Sequence, residues 1–293
     1  MTRLEKRNRK WGLIFIAPTL IHFLIFTLFT LICVFGLSFC KTDFLQPLEF
    51  VGFKNYIKAF RDPRTFTVFK NTFYFTFVAT FFNVSCGLGL ALLVNKIKAK
   101  GVSYYFRLAF FLPVIVSLVN VSLMWGILFN RDLGAINSYL NLMGFQSVGW
   151  LSDPKIAMST VIFVDVWKNC GFPMLIFLAA LQNIPVSYYE VAKIEGVTPW
   201  QSFRHITFPS LTPTIFFNII YFCIGALQVF DSTRLLTNGG PGDSTRSVAM
   251  YIYEKGFEVF DVGYGSAVSV VLFFVILIFT IIQFVGSKYW VVE

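Results

Sequence analysis

YYEVAKIEGVTPWQSFRHITFP, residues 188–209, is a hydrophilic stretch between two apolar spans. Ser187 and Thr198 each lie three residues before a Glu or a Gln, a spacing that predicts two helix starts with reciprocal side-chain caps. Gly196 stands between them and can take the left-handed backbone that ends the first helix. The stretch therefore predicts a helix, a bend and a second helix.

The chain around this stretch has the composition of an integral membrane protein, with 56% hydrophobic residues, 13% charged residues and a mean hydropathy of +0.70. Several uncharged runs exceed the ~20 residues that cross a bilayer as a helix. These runs are Trp11–Cys40, Asn71–Asn95, Leu108–Asn130, Ile206–Phe230 and Val262–Ser287. A further run, from Ile156 to about Asn183, is apolar except for polar residues in its first half. Continuous runs of this kind favour helices over a β-barrel, whose strands alternate at period two.

The predicted fold is therefore an all-α integral membrane protein with six transmembrane helices in one domain, residues 1–293. The predicted spans are about 12–40, 69–95, 107–130, 156–183, 208–231 and 262–287, with loops at 184–207 and 232–261. The first run is too long for a signal-peptide core, so we expect it to remain as a helix.

Orientation is predicted from the density of basic residues, because the Lys and Arg totals on the two sides are nearly equal. Five basic residues fall within residues 3–10 and three within 96–100. Short, dense clusters weigh most in the positive-inside rule, so we expect both termini and the 184–207 loop in the cytoplasm. The net charge of +9 sits largely beside the spans, which indicates anionic lipid rather than nucleic acid as its partner.

The sequence lacks the residues of a catalytic site. No glycine directly precedes a lysine, so the phosphate-binding loop of an ATPase cannot be built. No Ser/His/Asp set or His-Glu-x-x-His motif is present, and the five cysteines have no metal-ligand spacing. We therefore expect no enzyme activity, no bound metal and no cofactor.

A polar row runs along the predicted fifth span. Its members, spaced by four, three, four and three, are Thr214, Asn218, Tyr221, Gly225 and Gln228. They share one helical face, which must meet protein or water rather than lipid. Two interpretations stay open: helix packing through the glycine and amides, or a path for a hydroxyl-rich solute.

Other polar residues lie within the predicted spans. Span two carries a row of small residues for which packing is the favoured interpretation. That row is Thr76, Thr80, Asn83 and Gly87. Asn120 is the polar point of span three. Asp165 and Lys168 share a face of span four, where they can pair. They could hold the bundle together or line an entrance, and the entrance is the favoured interpretation.

TNGGPGDST, residues 237–245, follows the fifth span and packs Asn-Gly, Gly-Gly and Pro-Gly into one tight reversal. A simple turn and a docking loop are both compatible with this pattern.

The stretch at 188–209 resembles the EAA loop of the transmembrane subunits of ABC importers, whose pattern is Glu-Ala-Ala, three residues, Gly, then an Ile-x-Leu-Pro ending. The matching residues are Glu190, Val191, Ala192, Gly196, Phe203, Ile206 and Pro209. The chain departs mildly at Val191, Glu195 and Phe208, where the family more often has Ala, Asp and Leu.

Further motifs are similar to the carbohydrate-importing, maltose-type branch of that family. They are WLSDP at 150–154, LQNIP at 181–185, TNGGPGDST at 237–245, YIYEKGF at 251–257 and GYGSA at 263–267. The resemblance implies the type I importer permease fold, in the inner membrane of a bacterium or archaeon, and transport of a sugar or related polyol.

The resemblance also implies partners. The EAA loop would form a cytoplasmic coupling helix between spans four and five, seated on a separate dimeric subunit that binds ATP. Its coupling residues would be Glu190, Val191, Ala192, Glu195, Gly196, Phe203 and Pro209. An extracytoplasmic sugar-binding protein would face Gly239, Gly240, Pro241 and Gly242, and a second, homologous permease would complete a heterodimer.

The substrate pathway is predicted from the polar residues within the spans. These are Asn120, Asp165, Lys168, Asn218, Tyr221 and Gln228. The alternative is a self-sufficient secondary carrier or channel. Such carriers usually show internal repeats, and the six spans contain no convincing repeat.

Overall fold

The computed structural model describes residues 3–42 and 47–291 of the chain. The α-helices of these residues are α1 (Arg3–His22), α2 (Phe29–Ser38), α3 (Lys54–Arg61), α4 (Pro63–Asn95), α5 (Lys100–Ile115), α6 (Leu118–Leu128), α7 (Ala135–Leu142), α8 (Ala157–Asn169), α9 (Gly171–Asn183), α10 (Val186–Ile194), α11 (Pro199–Ser202), α12 (Phe208–Leu227), α13 (Asp231–Thr237), α14 (Val248–Tyr253) and α15 (Val262–Ser287). Short π-helical segments lie at Phe23–Leu28, Phe203–Thr207 and Glu254–Glu258. Strands β1 (Cys40–Lys41) and β2 (Glu49–Phe50) pair antiparallel.

Four continuous helices in the described residues are long and apolar enough to cross a membrane. They are Trp11–Ser38, Pro63–Asn95, Pro199–Leu227 and Val262–Ser287. Two further spans are possible as bent pairs, α5 with α6 at 96° and α8 with α9 at 45°. The prediction of an all-helical membrane protein is confirmed, with six spans if each bent pair is one span.

The bend between α5 and α6 arises from two extended residues, Val116 and Ser117, after a helix that contains Pro113. Proline removes a backbone donor and disturbs the helix around it. Lys168 donates from Nζ to the carbonyl oxygen of Val114 at 3.0 Å, which gives that oxygen near the helix end a partner.

Prolines also lie near the start of α12, yet the helix continues through them. Pro213 cannot donate to the carbonyl oxygen of Pro209. The Thr212 hydroxyl donates to that oxygen at 2.7 Å, and the Ser210 hydroxyl donates to Ile206 at 2.7 Å. Hydroxyl donors of this kind satisfy freed backbone groups within a span.

The described chain divides into two compact units, and the larger comprises Arg64–Tyr251 with Phe274–Glu293. One of its apolar clusters joins α4, α9 and α12 through Ala91, Phe177 and Leu211, all of them buried.

Glycines allow the helices of this unit to approach closely. A Cβ at Gly87 would lie 2.6 Å from Cγ of Pro173, which confirms a packing role for this member of the span-two row. A Cβ at Gly171 would overlap the carbonyl oxygen of Phe110. Small residues thus set the distance between neighbouring spans.

The smaller unit comprises Met1–Pro63 with Ile252–Phe273. Asn55 donates to the carbonyl oxygens of Ser38 and Cys40, at 3.0 and 2.9 Å, and so ties α3 to the end of α2. Lys58 forms an ion pair with Asp261 at 2.7 Å. Polar contacts of α3 therefore connect the end of α2 with the residue that precedes α15.

Candidate functional site

The end of α10 has the geometry that the sequence predicts. Gly196 takes a left-handed backbone with φ of +76°. The N–H of Val197 donates to the carbonyl oxygen of Ala192 at 2.9 Å, and that of Gly196 to Lys193 at 3.3 Å. These two bonds define a Schellman motif, which fixes the direction of the chain after the helix.

The capping box of α11 is also confirmed. The backbone N–H of Gln201 donates to the hydroxyl of Thr198 at 3.4 Å, and Gln201 Oε1 accepts from the Thr198 N–H at 2.9 Å. Pro199 occupies the first turn, where its missing donor costs nothing.

The cap predicted at Ser187 is wrong. Helix α10 begins at Val186, and its N-cap is Pro185, with no side-chain cap bond. Ser187 therefore lies inside the first turn, and a reciprocal pair with Glu190 does not form. The extended backbone of Pro185 sets the helix start before the serine can cap it.

Residues 188–209, which we call the EAA segment, include predicted coupling residues that are exposed and others that are buried. Glu190, Val191, Glu195 and Gly196 are exposed, whereas Ala192 is buried. Phe203 and Pro209 are partly buried.

Apolar side chains accompany the exposed carboxylates. Val191 is 53% exposed, Ile194 86% and Trp200 68%. Exposed apolar surface of this kind is typical of sites that meet another protein or a membrane.

The EAA segment is also connected to span five. The hydroxyls of Tyr189 and Thr207 share a hydrogen bond of 3.0 Å. The ring of Phe203 stacks on Trp200, with centroids 5.6 Å apart, and meets Phe208 edge to face. Helix α11, the π-helical residues Phe203–Thr207 and α12 form one continuous helix. The EAA segment and span five are therefore mechanically joined.

A cavity of about 500 Å³ lies among spans two, four and five of the larger unit. Its polar lining residues are Thr80, Asn83, Asp165, Asn169, Tyr221, Gln228, Asp231 and Ser232. The volume falls within the range of small-molecule binding sites.

Asp165 is fixed at the cavity by two amides. Asn83 Nδ2 donates to Oδ2 at 3.2 Å, and Asn169 Nδ2 donates to Oδ1 at 3.1 Å. The predicted pair with Lys168 does not form, because the lysine donates to Val114 on another helix and the described residues contain no Asp165–Lys168 ion pair.

The polar row of span five divides between the two interpretations that the sequence left open, helix packing and a solute path. Asn218 is 0% exposed, lies outside the cavity lining and donates within its own helix to the carbonyl oxygen of Thr214 at 2.8 Å, which favours the packing interpretation for this residue. Tyr221, Gly225 and Gln228 line the cavity, and Tyr221 stacks on Phe172 with ring centroids 4.8 Å apart.

The cavity does not include every residue predicted for the pathway. Of the six, Asp165, Tyr221 and Gln228 line it, whereas Asn120, Lys168 and Asn218 do not. Thr80, Asn83, Asn169 and Asp231 line the cavity although the sequence did not select them for the pathway. Thr80 and Asn83 belong to the polar row of span two, which was a sequence signal for a polar cavity. The small size of the residues in that row favoured the packing interpretation instead.

The TNGGPGDST loop is a tight reversal stabilised by its own hydroxyls. Thr237 and Thr245 share a hydrogen bond of 2.7 Å, and Thr245 donates to the carbonyl oxygen of Gly240 at 2.9 Å. Of the predicted docking residues, Gly239 is buried, Gly240 and Pro241 are partly buried, and Gly242 is exposed. Among these four residues the exposed tip of the loop is therefore Gly242.

Asp243, beside that tip, is bound by the guanidinium groups of Arg64 and Arg246. The hydrogen bond from Arg64 is the largest influence and lowers the pKa of this carboxyl below its usual value; partial burial opposes the shift, and Arg246 adds to it.

The chain matches known proteins over most of its length. Residues 83–287 match the family model described as binding-protein-dependent transport system inner membrane component. The chain is 34% identical to the sulfoquinovosyl glycerol transport system permease protein SmoG of Agrobacterium fabrum (strain C58 / ATCC 33970), over 92% of this chain and 88% of that protein. It is 32% identical to the trehalose/maltose transport system permease protein MalF of Thermococcus litoralis (strain ATCC 51850 / DSM 5473 / JCM 8560 / NS-C), over 96% and 95% of the two chains.

Two solved structures share the fold. The first is a bacterial ABC transporter involved in the import of the acidic polysaccharide alginate, with a TM-score of 0.86 and 27% identity over 98% of this chain and 99% of that chain. The second is a bacterial alginate ABC transporter in complex with an alginate pentasaccharide-bound periplasmic protein, with a TM-score of 0.85 and 26% identity over 96% and 95%. The type I importer permease fold is therefore confirmed.

Proposed function

The chain belongs to the family of binding-protein-dependent transport system inner membrane components, and from this membership we propose that it is the permease subunit of an ATP-driven sugar importer. It translocates a sugar or related polyol that an extracytoplasmic solute-binding protein delivers. The observation that carries the proposal is the likeness to a trehalose/maltose permease over 96% of this chain.

The cavity supports a hydroxylated solute. Amide, hydroxyl and carboxylate groups lie beside aromatic rings in a volume of about 500 Å³. Polar groups at few positions in an otherwise apolar cavity orient a ligand and give specificity. The substrate pathway of this subunit therefore includes Asp165, Tyr221 and Gln228, and it extends to residues of a second, homologous permease.

The energy comes from a separate, dimeric ATP-binding subunit, and this chain holds no cofactor. The chain has no Gly-Lys pair for a phosphate-binding loop. The EAA segment is the docking site for that subunit, because Val191 and Ile194 are exposed on a helix with a rigid end.

We place the EAA segment and both termini in the cytoplasm. The density of basic residues near the N-terminus and at 96–100 supports this orientation. The TNGGPGDST loop then faces the binding protein, and its exposed tip at Gly242 lies on that surface.

The decisive experiment substitutes Gly196 in the complete importer, reconstituted with its ATPase, second permease and binding protein. Gly196→Val places a β-branched side chain at φ of +76°, which costs about 1–3 kcal/mol and disturbs the end of α10. We expect the variant to assemble but to lose at least about tenfold in sugar accumulated per ATP hydrolysed. The sugar is chosen beforehand by titrating the binding protein with a panel that includes trehalose, maltose and lactose.

Gly144→Val is the matched control. Gly144 has φ of +84°, and a Cβ there would meet nothing within 4 Å, as at Gly196. It follows α7 through the same pattern, with Phe145 donating to Leu140 at 2.9 Å. We expect this control to transport normally. Full coupling in Gly196→Val would refute the docking assignment, and uptake without ATP or partners would instead favour a secondary carrier.

A further inference from the structure

In the part of the chain that the structure describes, the cavity is lined by carboxyl groups and by no basic side chain. Among the described residues, its lining includes the carboxyl groups of Asp165 and Asp231 but no Lys, Arg or His. Two cations are close in sequence but lie outside the lining. Lys168 donates to Val114, and Arg234 lies one turn further along α13.

Asp165 is held in a geometry that suits an ionised carboxylate. Each of its oxygens accepts one amide N–H, from Asn83 at 3.2 Å and from Asn169 at 3.1 Å. Each of these donors favours the charged form of an acceptor-only group, so the two bonds offset part of the cost of burying the carboxylate.

One buried oxygen atom beside Asp165 has no hydrogen-bond partner among the described residues. The Asn83 amide donates to Ala79 at 3.0 Å and to Asp165, so both of its hydrogens are used while Oδ1 remains unpartnered. Asn83 lines the cavity and is only 1% exposed.

Buried polar atoms are almost always satisfied, so Asn83 Oδ1 requires a donor from water or from a solute. A sugar hydroxyl can donate to Asn83 Oδ1 and to the Asp165 carboxylate. A uronic acid carboxylate cannot donate, and it meets like charge in a site of lowered dielectric.

We propose that Asn83, Asp165 and Asn169 form a specificity subsite, the acid–amide subsite, that accepts hydroxyl groups of neutral sugars and excludes acidic sugars. The inference rests on the proposed function and adds the charge class of the solute. Repulsion of the wrong ligand is an effective source of specificity.

The test measures the electrostatic potential of the cavity with thiol reagents of opposite charge. Gly225 lines the cavity, and a Cβ there would meet nothing within 4 Å. In the assembled importer without its native cysteines, Gly225→Cys is treated with a trimethylammonium-ethyl and a sulfonatoethyl methanethiosulfonate. The rate at which each reagent modifies the cysteine is divided by the rate at which the same reagent reacts with a small free thiol in solution.

We expect the cationic reagent to be favoured about fivefold at Gly225→Cys, and Asp165→Asn to remove most of that preference. The matched control is Leu142→Cys, which is 83% exposed and lies on α7, away from the cavity lining. It should show a ratio near one with or without Asp165→Asn. Asp165→Glu keeps the charge and should keep the preference.

An equal rate for both reagents would overturn the proposal, as would a preference that survives Asp165→Asn. Failure of both reagents to react would overturn it too, because the cavity would then admit no solute.

Sugar uptake in the same preparation distinguishes failure of the acid–amide subsite from failure of the proposed function. Normal uptake of a neutral sugar without a charge preference refutes only the subsite, whereas ATP-independent uptake refutes the proposed function. Uptake of a uronic acid oligosaccharide would also refute the subsite.

Discussion

Asp243 accepts two hydrogen bonds from Arg64 across 179 residues of sequence, at 2.7 Å from Nε and 3.1 Å from Nη2. Arg246 binds the same carboxylate, and Asn71 donates to the carbonyl oxygens of Asp243 and Arg246 at 2.7 and 3.1 Å. The TNGGPGDST loop is therefore fastened to the first turns of α4 through charged groups.

This arrangement predicts acid sensitivity of the loop. Arg64 lowers the pKa of folded Asp243, so the carboxylate stabilises the protein fully above its unfolded pKa of about 3.9 and loses that effect as pH falls through the lower folded value. At pH 7 we expect Asp243→Asn to lower the thermal unfolding midpoint by about 2–4 °C. The gap between wild type and variant should narrow progressively as pH falls below about 4. Intrinsic fluorescence during heating measures both midpoints.

Asp132→Asn serves as the control, since Asp132 is exposed. Its midpoint should follow that of the wild type at every pH. A gap for Asp243→Asn that is constant between pH 7 and pH 3 would contradict the assignment.

Gly171→Ala should destabilise the protein strongly. The added Cβ would overlap the backbone oxygen of Phe110, so α5 and α9 must separate at a cost of at least about 1–3 kcal/mol. Gly89→Ala is the matched change in open space, where a Cβ meets nothing within 4 Å and a mid-helix alanine is favoured by about 0.5–1 kcal/mol. Folded yield in the membrane and the unfolding midpoint are measured for both variants. Similar values for the two would show that the close approach of Gly171 to Phe110 does not determine stability.

Gln228→Ala and Asn218→Ala should have different effects. Gln228 is exposed to the cavity, and its loss should raise the half-saturating concentration of transported sugar about two- to tenfold with little change in stability. Asn218 is fully buried, so its replacement should lower the unfolding midpoint and leave the affinity of surviving protein unchanged. Uptake kinetics and thermal unfolding of both variants test this division. The reverse pattern would assign the solute to Asn218.

Single cysteines at Lys193 and Leu235 test the proposed orientation in a variant that lacks the five native cysteines. Both positions are exposed. A membrane-impermeant maleimide added to intact cells should label Leu235→Cys and reach Lys193→Cys only after permeabilisation. Labelling of Lys193→Cys in intact cells would mean that the topology is inverted.

Local chemistry was predictable from sequence where the interacting groups are a few residues apart. The Gly196 turn and the Thr198–Gln201 box each depend on bonds that span three to five residues. The Ser187 prediction failed at the same scale, because Pro185 began the helix two residues earlier.

Contacts between distant segments could not be read in this way. Asn83 and Asp165 are 82 residues apart, and nothing in the apolar pattern of either span specifies which face meets which. The bend at Val116–Ser117 is hidden within an uncharged run, where Pro113 is the only local sign of a disturbed helix. Hydrophobic periodicity locates a span but gives neither its partners nor its straightness.

The unbroken helix from Pro199 to Leu227 has a geometric consequence for transport. Its 29 residues extend about 44 Å at 1.5 Å per residue, with the EAA segment at one end and Gln228 just past the other. A rigid tilt of about 5° about one end moves the opposite end by roughly 4 Å, by the same length. That displacement exceeds the length of a hydrogen bond, so a small rotation of the EAA segment is sufficient to make or break a hydrogen bond at Gln228.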